Sequence, residues 1–76
     1  MNLWIRSQNR GTLMNVEILG QVDGVIKAYF PGGNVELGTY KEVERAPEIL
    51  SQIQKLLDTF EPQNMAKMIV YEMPQE

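Results

Sequence analysis

VELGTYKEVERAPEILSQIQKLLDTF, residues 35–60, changes its hydrophobic period partway along. Val35 and Leu37 alternate with polar residues, the period of two of a half-buried strand running from Val35 to Tyr40. From Ala46 onward the apolar residues are Ala46, Ile49, Leu50, Ile53, Leu56, Leu57 and Phe60. That spacing is one stripe on a helix. Pro47 suits a first helical turn and would disrupt an interior, so the regular ladder is expected to begin near Ala46, with Val43 to Arg45 as its entry. Glu42, Glu44 and Glu48 gather at this end, where the helix dipole favours negative charge. Glu61-Pro62-Gln63-Asn64 is expected to end the helix.

On the N-terminal side the pattern is β throughout. Leu3 to Gln8 reads as a strand, and Asn9-Arg10-Gly11 as a turn. Leu13 to Val22 reads as a second strand, with Met14, Val16 and Ile18 on one face. Asp23-Gly24 then separates it from Val25 to Phe30. A type I′ turn needs positive φ at both central residues, so Asp-Gly between two β runs predicts a hairpin. Pro31-Gly32-Gly33-Asn34 is another turn. After the helix, Met65 to Met73 reads as a last strand, which Pro74 stops.

The order β-β-β-β-α-β predicts an α+β fold over residues 1–76, one domain. Its antiparallel sheet would carry the amphipathic helix on one face, in two layers. The first four strands can form a meander, and the last strand can join an edge after the helix. One helix cannot cover both sheet faces, so a second subunit is expected on the other.

Composition removes several functions. The chain has 76 residues and no Cys, so disulfides and thiolate chemistry are unavailable. It has no His, the usual general base and metal ligand. A domain this small buries only about 60% of its unfolded surface, and such domains often gain stability by oligomerising. The formal net charge of -3 opposes a general grip on nucleic acid or anionic lipid. No apolar run approaches the roughly 20 residues that span a bilayer, and no signal peptide is evident. A soluble cytoplasmic protein is expected.

Catalysis finds little in the sequence. Ser7 and Ser51 lack a nucleophile elbow. Glu42, Glu44 and Glu48 lack a calcium-loop pattern, so no metal site is expected. Pro31-Gly32-Gly33-Asn34 lacks the Lys-Ser/Thr ending of a phosphate loop and precedes a strand. No cofactor is expected.

Binding finds more. Alternation puts Trp4, Arg6 and Gln8 on one face of the first strand and Leu3, Ile5 and Ser7 on the other. Lys27 and Tyr29 share a face of the third strand. An aromatic ring beside a guanidinium or an ammonium can stack a base and meet a phosphate. The plainer alternative packs Trp4 into a subunit contact with Arg6 laid along it. Tyr40, Lys41 and Arg45 flank the helix entrance, where cationic groups can hold an anion. Against this stands ordinary pairing of Lys41 and Arg45 with the nearby glutamates.

Trp4-Ile5-Arg6-Ser7-Gln8, Leu37-Gly38-Thr39-Tyr40-Lys41, Glu44-Arg45-Ala46 and Tyr71-Glu72-Met73-Pro74 form an ordered set spanning almost the whole chain. With this set the sequence resembles small proteins of phages and prophages of Gram-positive bacteria. Those proteins open with Trp-Ile-Arg-Ser, carry Leu-Gly-x-Tyr before a Glu-Arg-Ala helix, and close with Tyr-Glu-Met-Pro. Val43 departs from an expected Ser/Thr cap and Pro47 from an expected Leu. The resemblance implies a phage or mobile-element origin and a site in the bacterial cytoplasm. By analogy of class, it suggests a sponge for nucleotide signals of bacterial immunity, such as those of TIR-domain and cyclic-nucleotide pathways.

The expected function is therefore a non-enzymatic homo-oligomer that sequesters a small anionic ligand. Trp4, Tyr29 or Tyr71 would stack its base. Arg6, Lys27, Lys41 or Arg45 would meet its phosphates, and Ser7 and Gln8 would supply hydrogen bonds. One alternative is a module that inhibits a host protein through an open sheet face or the last strand. Another is a weak nucleic-acid-binding domain, against which the acidic balance counts.

Overall fold

A computed structural model describes residues 2–59 and 68–76. Among them the order is β1 (Asn2–Arg6), β2 (Leu13–Asn15), β3 (Ile18–Val22), β4 (Val25–Phe30), β5 (Gly33–Thr39), α1 (Arg45–Asp58) and β6 (Met68–Glu72). The fold is α+β, mostly strands with one helix packed against them. Phe60, the Glu61–Asn64 stop and Met65 lie outside the described residues.

The strands form two sheets instead of one meander. One has the order β2-β1-β6, the other β3-β4-β5. The expected second strand is the reason. It breaks between Asn15 and Ile18, and its halves join different sheets. Val16 donates its N–H to the Leu3 carbonyl at 2.9 Å and is buried, which holds it to β1. Beyond Glu17 the chain leaves β1 and pairs with β4. The alternation slips by one residue at this bend: Met14 and Val16 face inward, but Ile18 is 58% exposed and Leu19 turns inward in its place. A one-residue slip exchanges the two faces of a strand.

β6 runs parallel to β1, pairing Leu3 with Ile69 and Ile5 with Tyr71. Parallel neighbours need a crossover, and α1 lies on that route. The β3–β4 hairpin forms as its sequence predicts, with Asp23 at φ 51° and Gly24 at φ 84°. Both sheets and α1 contribute to one core. Leu3, Ile5 and Ile69 come from the first sheet, Ile26, Ala28 and Leu37 from the second, and Ala46, Ile49 and Ile53 from the helix. Gln8 donates its N–H to the Leu37 carbonyl at 2.7 Å, tying the end of β1 to β5.

Tyr40 closes this end of the core. Its N–H donates to the Gly24 carbonyl at 2.9 Å, and its hydroxyl to the Pro74 carbonyl at 2.7 Å. A Cβ on Gly38 would lie 2.9 Å from the Tyr40 ring, and one on Gly24 would lie 2.7 Å from the Tyr40 carbonyl oxygen. Only glycine admits both approaches.

Candidate functional site

The turn after β5 and the first turn of α1 meet the segment following β6. They enclose a cleft of about 550 Å³ whose lining includes Tyr40, Lys41, Glu42, Arg45, Gln75 and Glu76. α1 begins at Arg45 without a side-chain cap, and Glu44 already has helical φ and ψ. Arg45 therefore stands in the first turn, where the helix dipole disfavours a cation. Two acceptors offset this. Its Nε donates to the main-chain oxygen of Glu76 at 2.9 Å, and its Nη1 meets Glu48 Oε1 at 3.3 Å.

The tail that completes the cleft is fixed at successive points. Met73 donates its N–H to the Arg6 carbonyl at 3.0 Å, extending the β1–β6 ladder. Pro74 accepts from Tyr40. Gln75 and Gln8 exchange bonds: Gln8 Nε2 donates to the Gln75 carbonyl at 2.9 Å, and Gln75 Nε2 to the Gln8 carbonyl at 2.8 Å. Gln8 Oε1 also accepts from the Thr39 N–H at 2.9 Å.

Tyr40 and Tyr71 are electrostatic neighbours of Arg45. Burial raises the Tyr40 hydroxyl above its ordinary range and the nearby Tyr71 phenol adds to this, while Arg45 pulls it down. Burial likewise raises Tyr71, again opposed by Arg45. Both phenols stay protonated at neutral pH and act as donors, Tyr71 to Gln52 Oε1 on α1 at 3.1 Å. The cleft's charged side chains balance: Lys41 and Arg45 face Glu42 and Glu76.

The ten residues singled out from the sequence divide among several places. Tyr40, Lys41 and Arg45 converge on the cleft, with Gln8 and Tyr71 beside it through the tail and the Arg45 charge. Trp4 and Arg6 lie on the outer face of the first sheet, since Leu3 and Ile5 are buried. Tyr71 belongs to the opposite, Ile5 face of that sheet, so it does not share a stacking surface with Trp4. Lys27 and Tyr29 belong to the second sheet. Ser7 is buried, and its hydroxyl is used within the turn, donating to Asn9 Oδ1 at 2.7 Å and accepting from Thr12 N–H at 3.0 Å. It holds a turn and is not presented to a ligand.

Sequence reasoning placed Glu42 only at the helix start and missed Thr39, Gln75 and Glu76, which also line the cleft. Pro74 marked where the last strand stops, but no pattern marked where the following residues return. Among the described residues no group of three or more acidic side chains could hold a metal ion. None of their helices is long and apolar enough to cross a membrane. No family model, curated protein or solved structure matches the chain.

Proposed function

We propose that the chain is a non-catalytic, self-associating binding module that sequesters a small anionic ligand of the nucleotide class, as a phage-encoded sponge in the bacterial cytoplasm would. The observation that carries this reading is the cleft, where Tyr40, Lys41 and Arg45 meet across one opening. Arg45 supplies planar donors for a phosphate and Lys41 a mobile ammonium, over the buried Tyr40 ring. Glu42 and Glu76 confine the anion to the cationic side. Their carboxylates are acceptors for ribose hydroxyls or base amino groups.

The test is titration calorimetry with a panel of mono-, di- and cyclic nucleotides, on the protein and on Lys41→Ala and Arg45→Ala. Binding that weakens roughly tenfold or more in either variant supports the reading, in line with the loss of a charge-assisted hydrogen bond. Absence of heat across the panel, together with no small molecule released from protein purified out of defence-expressing cells, rejects it.

A second reading is inhibition of a host protein through the outer face of the first sheet. Leu13, Met68 and Val70 are exposed there beside half-buried Trp4. A stable complex with a purified host protein, lost in Val70→Asp, would favour it. Gel shifts at low salt test the third reading, weak nucleic-acid binding, which the net charge of -3 opposes.

A further inference from the structure

We infer that β3 is the edge through which two copies of the chain pair. The inference rests on the self-association in the reading above and names its surface. The Asp23-Gly24 turn makes Val22 and Val25 a hydrogen-bonded pair. Alternation makes Gly20 with Lys27, and Ile18 with Tyr29, the next such pairs. The N–H and C=O groups of Leu19 and Gln21 therefore point away from β4. Among the described residues, none of these groups takes part in a main-chain bond outside the ladder.

The strand itself carries no guarding residue, and α1 packs against it. Natural edge strands carry charges, Pro or a covering loop. Ile18-Leu19-Gly20-Gln21-Val22 has neither charge nor Pro. The other edges differ: β2 has only three residues, and very short edge strands resist pairing. The Leu37 carbonyl of β5 accepts from Gln8, and β6 ends on Glu72, which pairs with Arg10.

The occupant is a second copy because the strand is complementary to itself. Antiparallel pairing about a two-fold axis at Gly20 sets Leu19 of one copy opposite Gln21 of the other, so the outward groups bond each other. It sets Ile18 opposite Val22. These residues are 58% and 57% exposed, and each would shield the other. Gly20 puts no side chain on the axis. On the other face the two Gln21 side chains lie diagonally across the axis, within reach of one another.

The same register places Glu17 opposite Asp23 of the second copy at both ends of the pair. Like charges directly opposite are destabilising, and salt screens them. The pairing is therefore weak at low salt and tightens as salt rises.

The experiment is sedimentation equilibrium up to about 1 mM, the range in which weak complexes populate. It compares the wild-type chain, Ile18→Lys and Glu17→Lys at low and high salt, with circular dichroism to verify folding. Both changed positions are exposed, so the fold should persist. Wild-type chain should self-associate, more tightly at high salt. Ile18→Lys should weaken the dimer, and Glu17→Lys should tighten it at low salt, each roughly tenfold. Wild type and Glu17→Lys that both remain monomeric would overturn the β3 edge and self-association together. A dimer indifferent to both substitutions would overturn the β3 edge alone. Nucleotide titration reads the ligand-binding part separately, because the β3 edge residues lie outside that cleft.

Discussion

Gln8 and Gln75, 67 positions apart, each donate a side-chain amide to the other's main-chain carbonyl, at 2.9 and 2.8 Å. This exchange fastens the end of β1 to the segment that walls the cleft. Gln8 Oε1 adds the Thr39 N–H, so one side chain joins β1, β5 and the tail.

Replacing Gln8 with Ala should therefore cost about 1–2 kcal/mol in urea denaturation, and Gln75→Ala about 1 kcal/mol. Each acceptor is a main-chain carbonyl that survives the substitution, so the double variant should cost about the sum of the two. A change below about 0.5 kcal/mol in both single variants would show that the exchange is not made in solution.

Tyr40 carries the same end of the fold from inside. Gly38→Ala forces a Cβ against its ring and should destabilise by about 1–3 kcal/mol, as overpacking does. Tyr40→Phe removes only the bond to the Pro74 carbonyl and should cost about 1 kcal/mol. A thermal melt that ranks Tyr40→Phe as the more damaging change would contradict this placement of the ring.

The buried Tyr40 and half-buried Tyr71 phenols make stability fall in alkali. Their hydroxyls titrate above the ordinary value of 10.0 in the folded protein. Between the unfolded and the folded value the native state keeps a proton that the unfolded state has lost. The stabilisation is complete below pH 10 and is lost as pH rises through the folded values. Denaturation midpoints should decline above pH 10, and less steeply in Tyr40→Phe and Tyr71→Phe. An unchanged slope in both variants would assign the decline to other groups.

Arg10 offers a contrast. Its ion pair with Glu72 is solvent-exposed, and such pairs contribute little. Its backbone has φ 67°, the left-handed region that favours glycine. Arg10→Ala should change stability by less than about 0.5 kcal/mol. Arg10→Gly should be neutral or stabilising by up to about 1 kcal/mol, from relief of the backbone. A large loss in Arg10→Gly would mean that the ion pair outweighs the strain.

Much of the fold was legible because it is written in local periods. The helical stripe from Ala46, the Asp23-Gly24 turn and the buried alternation of Leu3, Ile5 and Ser7 depend only on near neighbours in the chain. The break at Val16 and Glu17 was not legible. Met14, Val16 and Ile18 continue a period of two across a bend set by the Val16 bond to Leu3, a contact between strands.

The site divides in the same way. Tyr40, Lys41 and Arg45 were legible as a group because a strand end and a helix start adjoin in sequence. That Gln75 and Glu76 wall their cleft was decided by the parallel pairing of β6 with β1, which delivers the tail beside Gln8 and Arg45. So was the separation of Trp4 from Tyr71. The sequence by itself determined the elements, the helix entrance and the absence of Cys and His chemistry. Only the tertiary structure decided which elements share a sheet and which side chains meet, because strand pairing and the closing of a cleft depend on contacts between distant residues that no local period encodes.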